Sequence, residues 1–187
     1  MKKMKAEEQH AWQAMNEGRY EESARLFEPL AKRGSEPALI NLGWMYHRGR
    51  LGRPDLDKAM SYYERAANSG SARAKHYLGR ALIEKGDAQR ARVVFVKGAG
   101  QGNTPCMFMA GKMLVRGQGG DPDTQGGVAW LARAAESGHV HAQRELLRLE
   151  MRSAPSLWHR MLTLRKIIRL VFANASRAAN DQSDDFR

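Results

Sequence analysis

Four segments of the chain repeat one order of apolar and small residues. In each segment, a large apolar residue is followed by an alanine four positions later and by a glycine seven positions later. The large apolar residues are Phe27, Tyr63, Phe95 and Leu131, and the glycines are Gly34, Gly70, Gly102 and Gly138. Because these glycines are 36, 32 and 36 residues apart, the pattern predicts a protein built from repeats of one small structural unit.

A second column of small residues lies nine positions after the repeat glycines. The residues in this column are Gly43, Gly79 and Gly111, followed by Leu147 near the C-terminal end. The equivalent residue in the first repeat is Ala11. A further glycine ends the segment around each small residue: Gly18, Gly49, Gly86 and Gly117. Apolar residues three and four apart predict helices, and a left-handed glycine ends a helix. Each repeat is therefore predicted to be an antiparallel pair, helix A then helix B. Close packing at the small residue would offset the cost of about 1 kcal/mol for a glycine inside a helix.

Residues 37–70 carry the most complete copy of this pattern. The segments Asn41-Leu-Gly43-Trp-Met-Tyr46 and Tyr63-Glu-Arg-Ala-Ala-Asn-Ser-Gly70 resemble a Sel1-like (Sel-one-like) repeat, a relative of the tetratricopeptide repeat. Residues 106–138 form a second, looser example, and the first and third repeats, with shorter linkers, are similar to ordinary tetratricopeptide units. The resemblance implies an all-α fold, a right-handed α-solenoid of antiparallel helix pairs that binds other proteins as an adaptor or scaffold.

The pattern predicts four helix pairs, a capping helix and a C-terminal segment. The pairs span about 6–34, 37–70, 72–102 and 105–138, with Gly98 and Gly126-Gly127 expected to weaken helix B of the last two. Leu147, in the small-residue column, indicates a cap at 139–151, because no helix B needs to approach it there. Residues 156–173 predict a basic amphipathic helix, and the small, polar residues 174–187 predict a disordered tail.

The C-terminal helix has two interpretations. It contains Trp158 within a broad apolar stripe, and its full charges are Arg160, Arg165, Lys166 and Arg169. It either packs on the last repeat as a lid, or binds an anionic membrane surface or a partner's groove.

The composition favours helices and acidic partners. Apolar residues make up 42% of the 187-residue chain, and the formal net charge is +11. A basic protein attracts anionic peptides, nucleic acid or anionic membranes, although the excess charge alone also serves solubility. The single cysteine, Cys106, allows no intrachain disulfide, and we find neither a signal peptide nor a membrane-spanning stretch. The expected location is therefore the cytoplasm.

The sequence offers little enzymatic chemistry. His139 and His141 lack the further ligands of a metal site, and Cys106 is typical of a buried small hydrophobe. The glycine-rich segment at 117–121 neither follows a predicted strand nor precedes a Lys-Ser/Thr pair, so it predicts no phosphate loop. We therefore expect no catalysis, no metal and no cofactor.

The inner face of the solenoid is the candidate binding site. Helix A lines that face in tetratricopeptide solenoids, and the resemblance implies the same here. Helical periodicity then turns a basic, aromatic set of side chains inward: Trp12, Ile40, Trp44, His47, Arg48, His76, Arg80, Phe108, Lys112 and Arg116. This groove suits an acidic or amphipathic peptide of another protein. In the alternative interpretation, the tryptophans pack between repeats and the cations are merely solvated. A second hypothesis is association with an anionic membrane surface or nucleic acid, although no nucleic-acid motif supports the latter.

Overall fold

The computed structural model describes residues 6–153, which form nine α-helices and no strand. The predicted all-α class is confirmed. The helices, in chain order, are α1 Ala6–Asn16, α2 Tyr20–Lys32, α3 Glu36–His47, α4 Leu56–Asn68, α5 Ala72–Glu84, α6 Ala88–Gly100, α7 Thr104–Arg116, α8 Thr124–Glu136 and α9 Val140–Ser153. The predicted amphipathic helix at 156–173, with Trp158, Arg160, Arg165, Lys166 and Arg169, and the predicted tail at 174–187 lie outside the described residues.

The described residues fall into two compact units, one that ends at Trp130 and one that begins at Leu131. In the first unit each helix from α1 to α7 packs against the next one. Contacts also join α3 to α5 and α5 to α7, so the first helices of successive pairs lie side by side. We call the surface that α3, α5 and α7 share the A face.

Aromatic rings cross the small-residue column in the core of the first unit. A Cβ atom on Gly43 would lie 2.5 Å from Cε1 of Tyr63, and one on Gly79 would lie 2.5 Å from Cζ of Phe95. Both rings are fully buried, with 0% of their surface exposed. The predicted reason for the column is therefore confirmed at these two positions: glycine on helix A admits the large side chain of helix B.

Gly98 and Gly127 also have a packing reason, and the helices that contain them are continuous. A Cβ atom on Gly98 would lie 2.5 Å from Sγ of Cys106. A Cβ atom on Gly127 would lie 2.6 Å from Cγ2 of Val115 and 2.8 Å from the carbonyl oxygen of Gly111. Neither helix is interrupted at its glycine, because close contact with the next or preceding helix offsets the propensity cost.

The helix ends follow the sequence signals. All the glycines predicted to end a helix have positive φ angles: Gly18, Gly34, Gly49, Gly70, Gly86, Gly102, Gly117 and Gly138. Aspartates cap α4, α6 and α8: Oδ1 of Asp55, Asp87 and Asp123 accepts a backbone N–H bond at 2.8, 3.0 and 2.8 Å. These bonds satisfy donors that a helix N-terminus leaves free.

Long and short connections alternate within the helix pairs. The backbone N–H of Asp55 donates to the carbonyl of Tyr46 at 3.0 Å, and that of Asp123 donates to Leu114 at 2.9 Å, so each long loop closes back onto its first helix. The loop before α8 also contacts the start of α6, where Arg92 Nη1 donates to the Asp121 carbonyl at 2.7 Å. Loops of this kind are held by backbone bonds at both ends.

The second unit, as far as the structure describes it, contains the end of α8 and helix α9. Leu131, Ala134 and Ala142 are fully buried, with 0% exposed. Gln143 Nε2 donates to the Ala135 carbonyl at 3.2 Å and ties α9 to α8. Within residues 6–153, no helix has the length and apolar character needed to cross a lipid bilayer.

Candidate functional site

The structure places most of the predicted groove residues at the surface. Arg48, Arg80 and Arg116 are exposed. Six others are half-buried: Trp12, Trp44, His47, His76, Phe108 and Lys112. Ile40 differs, since only 4% of its surface is exposed. Its side chain belongs to the core and offers no contact area to a partner.

Both tryptophans of the candidate groove touch aromatic rings of the scaffold. The Trp12 ring meets that of Phe27 edge-on, with centroids 6.4 Å apart. The Trp44 ring lies 6.3 Å from that of Tyr20, and the Arg50 guanidinium is 5.8 Å from the centroid of Trp44. The Trp44 contact joins two repeats, as the alternative interpretation expects, whereas the Trp12 contact lies within the first repeat. Both tryptophans are half-buried.

The centre of the A face lies where α3 and α5 meet. Nε2 of His47 and Oε2 of Glu84 share a hydrogen bond of 2.7 Å across the two helices. The His47 ring also contacts that of Tyr63, with centroids 6.2 Å apart. The packing of α3 against α5 thus brings residues 37 positions apart in the sequence into one cluster.

The Tyr63 hydroxyl is buried beneath this cluster without a hydrogen-bond partner. Burial raises the pKa of Tyr63, and the charge of Glu84 raises it further, whereas the positive charges of Arg48 and Arg80 lower it. The hydroxyl therefore stays protonated at neutral pH. It is a hydrogen-bond donor that lies within the electrostatic reach of two exposed cations.

The A face continues along α5 and α7 with a mixture of rings and cations. The His76 ring is 6.3 Å from that of Phe95, and Nζ of Lys112 is 5.2 Å from the centroid of Phe108. Lys112 therefore makes a cation–π contact with a neighbour on its own helix, which fixes its charge over an aromatic surface.

Sequence reasoning left Tyr63 and Arg50 out of the site. Tyr63 stands in the column of large apolar residues, where the other repeats have phenylalanine or leucine, so the pattern by itself indicates only a packing role. Its hydroxyl is the signal that could have identified it, because a buried hydroxyl needs a partner. Arg50 lies in a loop, and no periodicity predicts where a loop side chain points.

The described residues contain no arrangement of catalytic groups that we recognise. Burial raises the pKa of the Cys106 thiol to about 12, so the reactive thiolate is scarce at neutral pH. No group of three or more His, Cys, Asp or Glu side chains within residues 6–153 could hold a metal ion. A polar cleft of about 340 Å³ is lined in part by Arg19, Tyr20 and Arg50. Arg19 forms ion pairs with Glu17 and Glu22.

The Sel1 repeat model matches residues 37–71 and 104–139. These ranges contain the second and fourth helix pairs, whose helices are joined by the long loops. The chain therefore contains Sel1 repeats in these two segments. The first and third pairs have the short turns that the sequence predicted for tetratricopeptide-like units.

Two solved structures and one curated relative are similar to this chain. A protective antigen of uropathogenic Escherichia coli strains, described as having an SLR fold, superposes with a TM-score of 0.65 and 26% identity over 69% of this chain and 28% of its own. A Sel1 repeat protein from Oxalobacter formigenes gives a TM-score of 0.67 and 24% identity over 79% of this chain and 64% of its own. An Arabidopsis thaliana F-box protein is 30% identical over 109 residues, which are 58% of this chain and 30% of that protein.

These likenesses confirm the α-helical repeat solenoid predicted from the sequence. The chain spans less than a third of the antigen and of the F-box protein, and slightly less than two thirds of the Oxalobacter protein. Sel1 repeats generally act as scaffolds for protein–protein interaction, and proteins built from them are typically non-enzymatic adaptors.

Proposed function

We propose that this chain is an adaptor whose A face binds an acidic or amphipathic segment of another protein. The observation that carries the proposal is the pair Arg48 and Arg80, on neighbouring helices, both exposed and with no ion-pair partner among residues 6–153. Unpaired cations on one surface attract a carboxylate-bearing segment, and the formal net charge of +11 adds long-range attraction.

The surroundings of the two arginines also favour a peptide ligand. Trp44 lies on α3, four residues before Arg48, which directly follows that helix, and the Trp44 ring already contacts the ring of Tyr20. A rigid aromatic side chain next to an arginine is a typical hot spot of protein interfaces, because the ring adds a large contact area at low entropic cost and the arginine adds charge-assisted hydrogen bonds. The scaffold role that is general for Sel1 repeats supports the same function.

Replacing Trp44 and Arg80 together by alanine is expected to abolish capture of the partner while leaving the helical content unchanged. Loss of two hot-spot residues weakens such complexes by a factor of about 30 or more. The measurement is affinity capture from the native cell, followed by calorimetric titration of the purified partner and far-UV circular dichroism of each variant.

The matched control is Val93→Ala with Lys97→Ala, which removes one apolar and one cationic side chain from the exposed surface of α6. This control is expected to bind as the wild type does. Arg80→Ala alone serves as a second variant, because Arg80 is exposed and its loss leaves the core intact. Full retention of binding by both Arg80 variants would contradict the assignment of the A face. If the variants still bind and binding is lost only when the salt concentration is raised, the result would instead favour nucleic acid or an anionic membrane as the partner.

A further inference from the structure

Tyr63 carries a hydroxyl group that its equivalents in the other repeats lack. Phe27, Phe95 and Leu131 occupy the same column and are, like Tyr63, fully buried with 0% exposed. Packing against the glycine of helix A requires the Tyr63 ring, which any phenyl group would supply. The hydroxyl is therefore extra to the packing. It is also buried without a partner in the described part of the chain.

The groups that act on this hydroxyl suit a negatively charged ligand. The Tyr77 ring stacks on that of Tyr63 at 5.5 Å, and the His47 ring meets it at 6.2 Å, so the phenol is held in a fixed position. The charges of Arg48 and Arg80 both act on the hydroxyl. One buried donor with two exposed cations nearby matches the needs of a carboxylate, which accepts hydrogen bonds and requires compensation of its charge.

A carboxylate of the protein itself already lies beside this place. Glu84 shares a 2.7 Å hydrogen bond with His47, and its charge, too, acts on the Tyr63 hydroxyl. About half of the Glu84 side chain is exposed, against 15% for that of His47. A side-chain hydrogen bond whose acceptor is half-exposed to water contributes little stability, so an incoming carboxylate can displace Glu84.

We propose that the A face contains a carboxylate subsite between α3 and α5. In it, the Tyr63 hydroxyl donates to a carboxylate of the bound segment, Arg48 and Arg80 neutralise that carboxylate, and Glu84 leaves His47 to make room. The inference rests on the proposed peptide-binding function and specifies the chemistry that one position of the peptide must have.

The test uses the full chain and three labelled ten-residue probes in fluorescence anisotropy. The acid probe alternates Glu and Leu and has an amidated C-terminus. The amide probe replaces every Glu by Gln, and the third probe is the amide probe with a free C-terminal carboxylate. The wild type is expected to prefer at least one of the two acidic probes, the acid probe or the third probe. It should bind that probe about tenfold more tightly than the amide probe, or better. The two acidic probes tell a side-chain carboxylate from a terminal one.

Tyr63→Phe removes the hydroxyl and keeps the ring. It is expected to lose about tenfold in affinity for the preferred acidic probe, with no change for the amide probe. Arg48→Gln and Arg80→Gln are expected to lose affinity in the same selective way. Glu84→Gln is expected to bind the acidic probe several-fold more tightly, because the competing internal charge is gone. Thermal unfolding separates a structural role, since Tyr63→Phe should be as stable as the wild type or more so.

Either of two results would overturn the subsite: a wild type that does not prefer acidic probes, or a Tyr63→Phe variant that binds them with unchanged affinity. Neither result bears on the A face as a whole, because capture of the native partner through Trp44 and Arg80 is measured separately. Capture of the native partner could require Trp44 and Arg80 and yet be unchanged in the Tyr63→Phe variant. That result would support the adaptor function and contradict the subsite.

Discussion

Replacing Gly79 by alanine is expected to lower the free energy of unfolding by about 2 kcal/mol. The new Cβ atom would lie 2.5, 2.6 and 2.8 Å from three atoms of the Phe95 ring, which is fully buried and has no space to retreat into. Overpacking of this kind costs more than the roughly 1 kcal/mol that alanine gains over glycine in a helix. For a chain of this length, the melting temperature should fall by about 4–8 °C, measured by circular dichroism at the helical band.

Gly100→Ala is the matched control for this substitution. Gly100 ends α6, its φ angle is not positive, and a Cβ atom there would meet nothing within 4 Å. The variant is expected to be as stable as the wild type or up to about 1 kcal/mol more stable. Phe95→Leu, which copies Leu131 of the fourth repeat, should recover part of the loss in a Gly79→Ala background. A Gly79→Ala protein that melts no lower than the wild type would show that the column is not set by packing.

Gly98→Ala is expected to destabilise the chain by about 2 kcal/mol, and Cys106→Ala in the same molecule is expected to restore it. A Cβ atom on Gly98 would lie 2.5 Å from Sγ and 3.0 Å from Cβ of Cys106, which is fully buried. The equivalent positions hold alanine on both sides of two other junctions: Ala66 with Ala74 after the second repeat, and Ala134 with Ala142 after the fourth. The junction between the third and fourth repeats therefore has a smaller and a larger residue, Gly98 and Cys106, in place of two alanines, at nearly constant total volume.

A double-mutant cycle measures this compensation. Cys106→Ala alone should cost about 1 kcal/mol, because it leaves a small void beside Gly98. The double variant should unfold at or above the denaturant midpoint of the wild type, because it also gains a better helix former at position 98. The resulting coupling energy would exceed about 2 kcal/mol. Simple addition of the two single effects would contradict a direct contact between residues 98 and 106.

The repeated glycines show how far periodicity reaches. The column at 43 and 79 was predicted to admit helix B, and the rings of Tyr63 and Phe95 lie there. Gly98 was expected only to weaken its helix. A single glycine that departs from the repeat pattern does not indicate which residue packs against it. Its reason lies in Cys106, eight positions later on another helix, and appears only when the two helices are packed.

The candidate site was predictable to the same limited extent. The offsets that pointed ten side chains inward placed nine of them at least partly at the surface, but Ile40 is buried, with 4% exposed. A helical wheel gives the direction of a side chain and not its depth, which depends on the helices beside it. For the same reason, the pairing of His47 with Glu84 could not be predicted, because it depends on how α3 and α5 align.

The order of apolar, small and glycine residues was by itself enough to determine an all-α array of helix pairs, the ends of its helices and the difference between its long and short connections. These properties depend on neighbours within one or two turns of the chain, and periodicity records such neighbours. Only the tertiary structure decided that the Tyr63 hydroxyl lies buried and unpaired near Arg48, Arg80 and Glu84. Charges and donors from three helices converge there, and the sequence of each helix carries no record of where the other two lie.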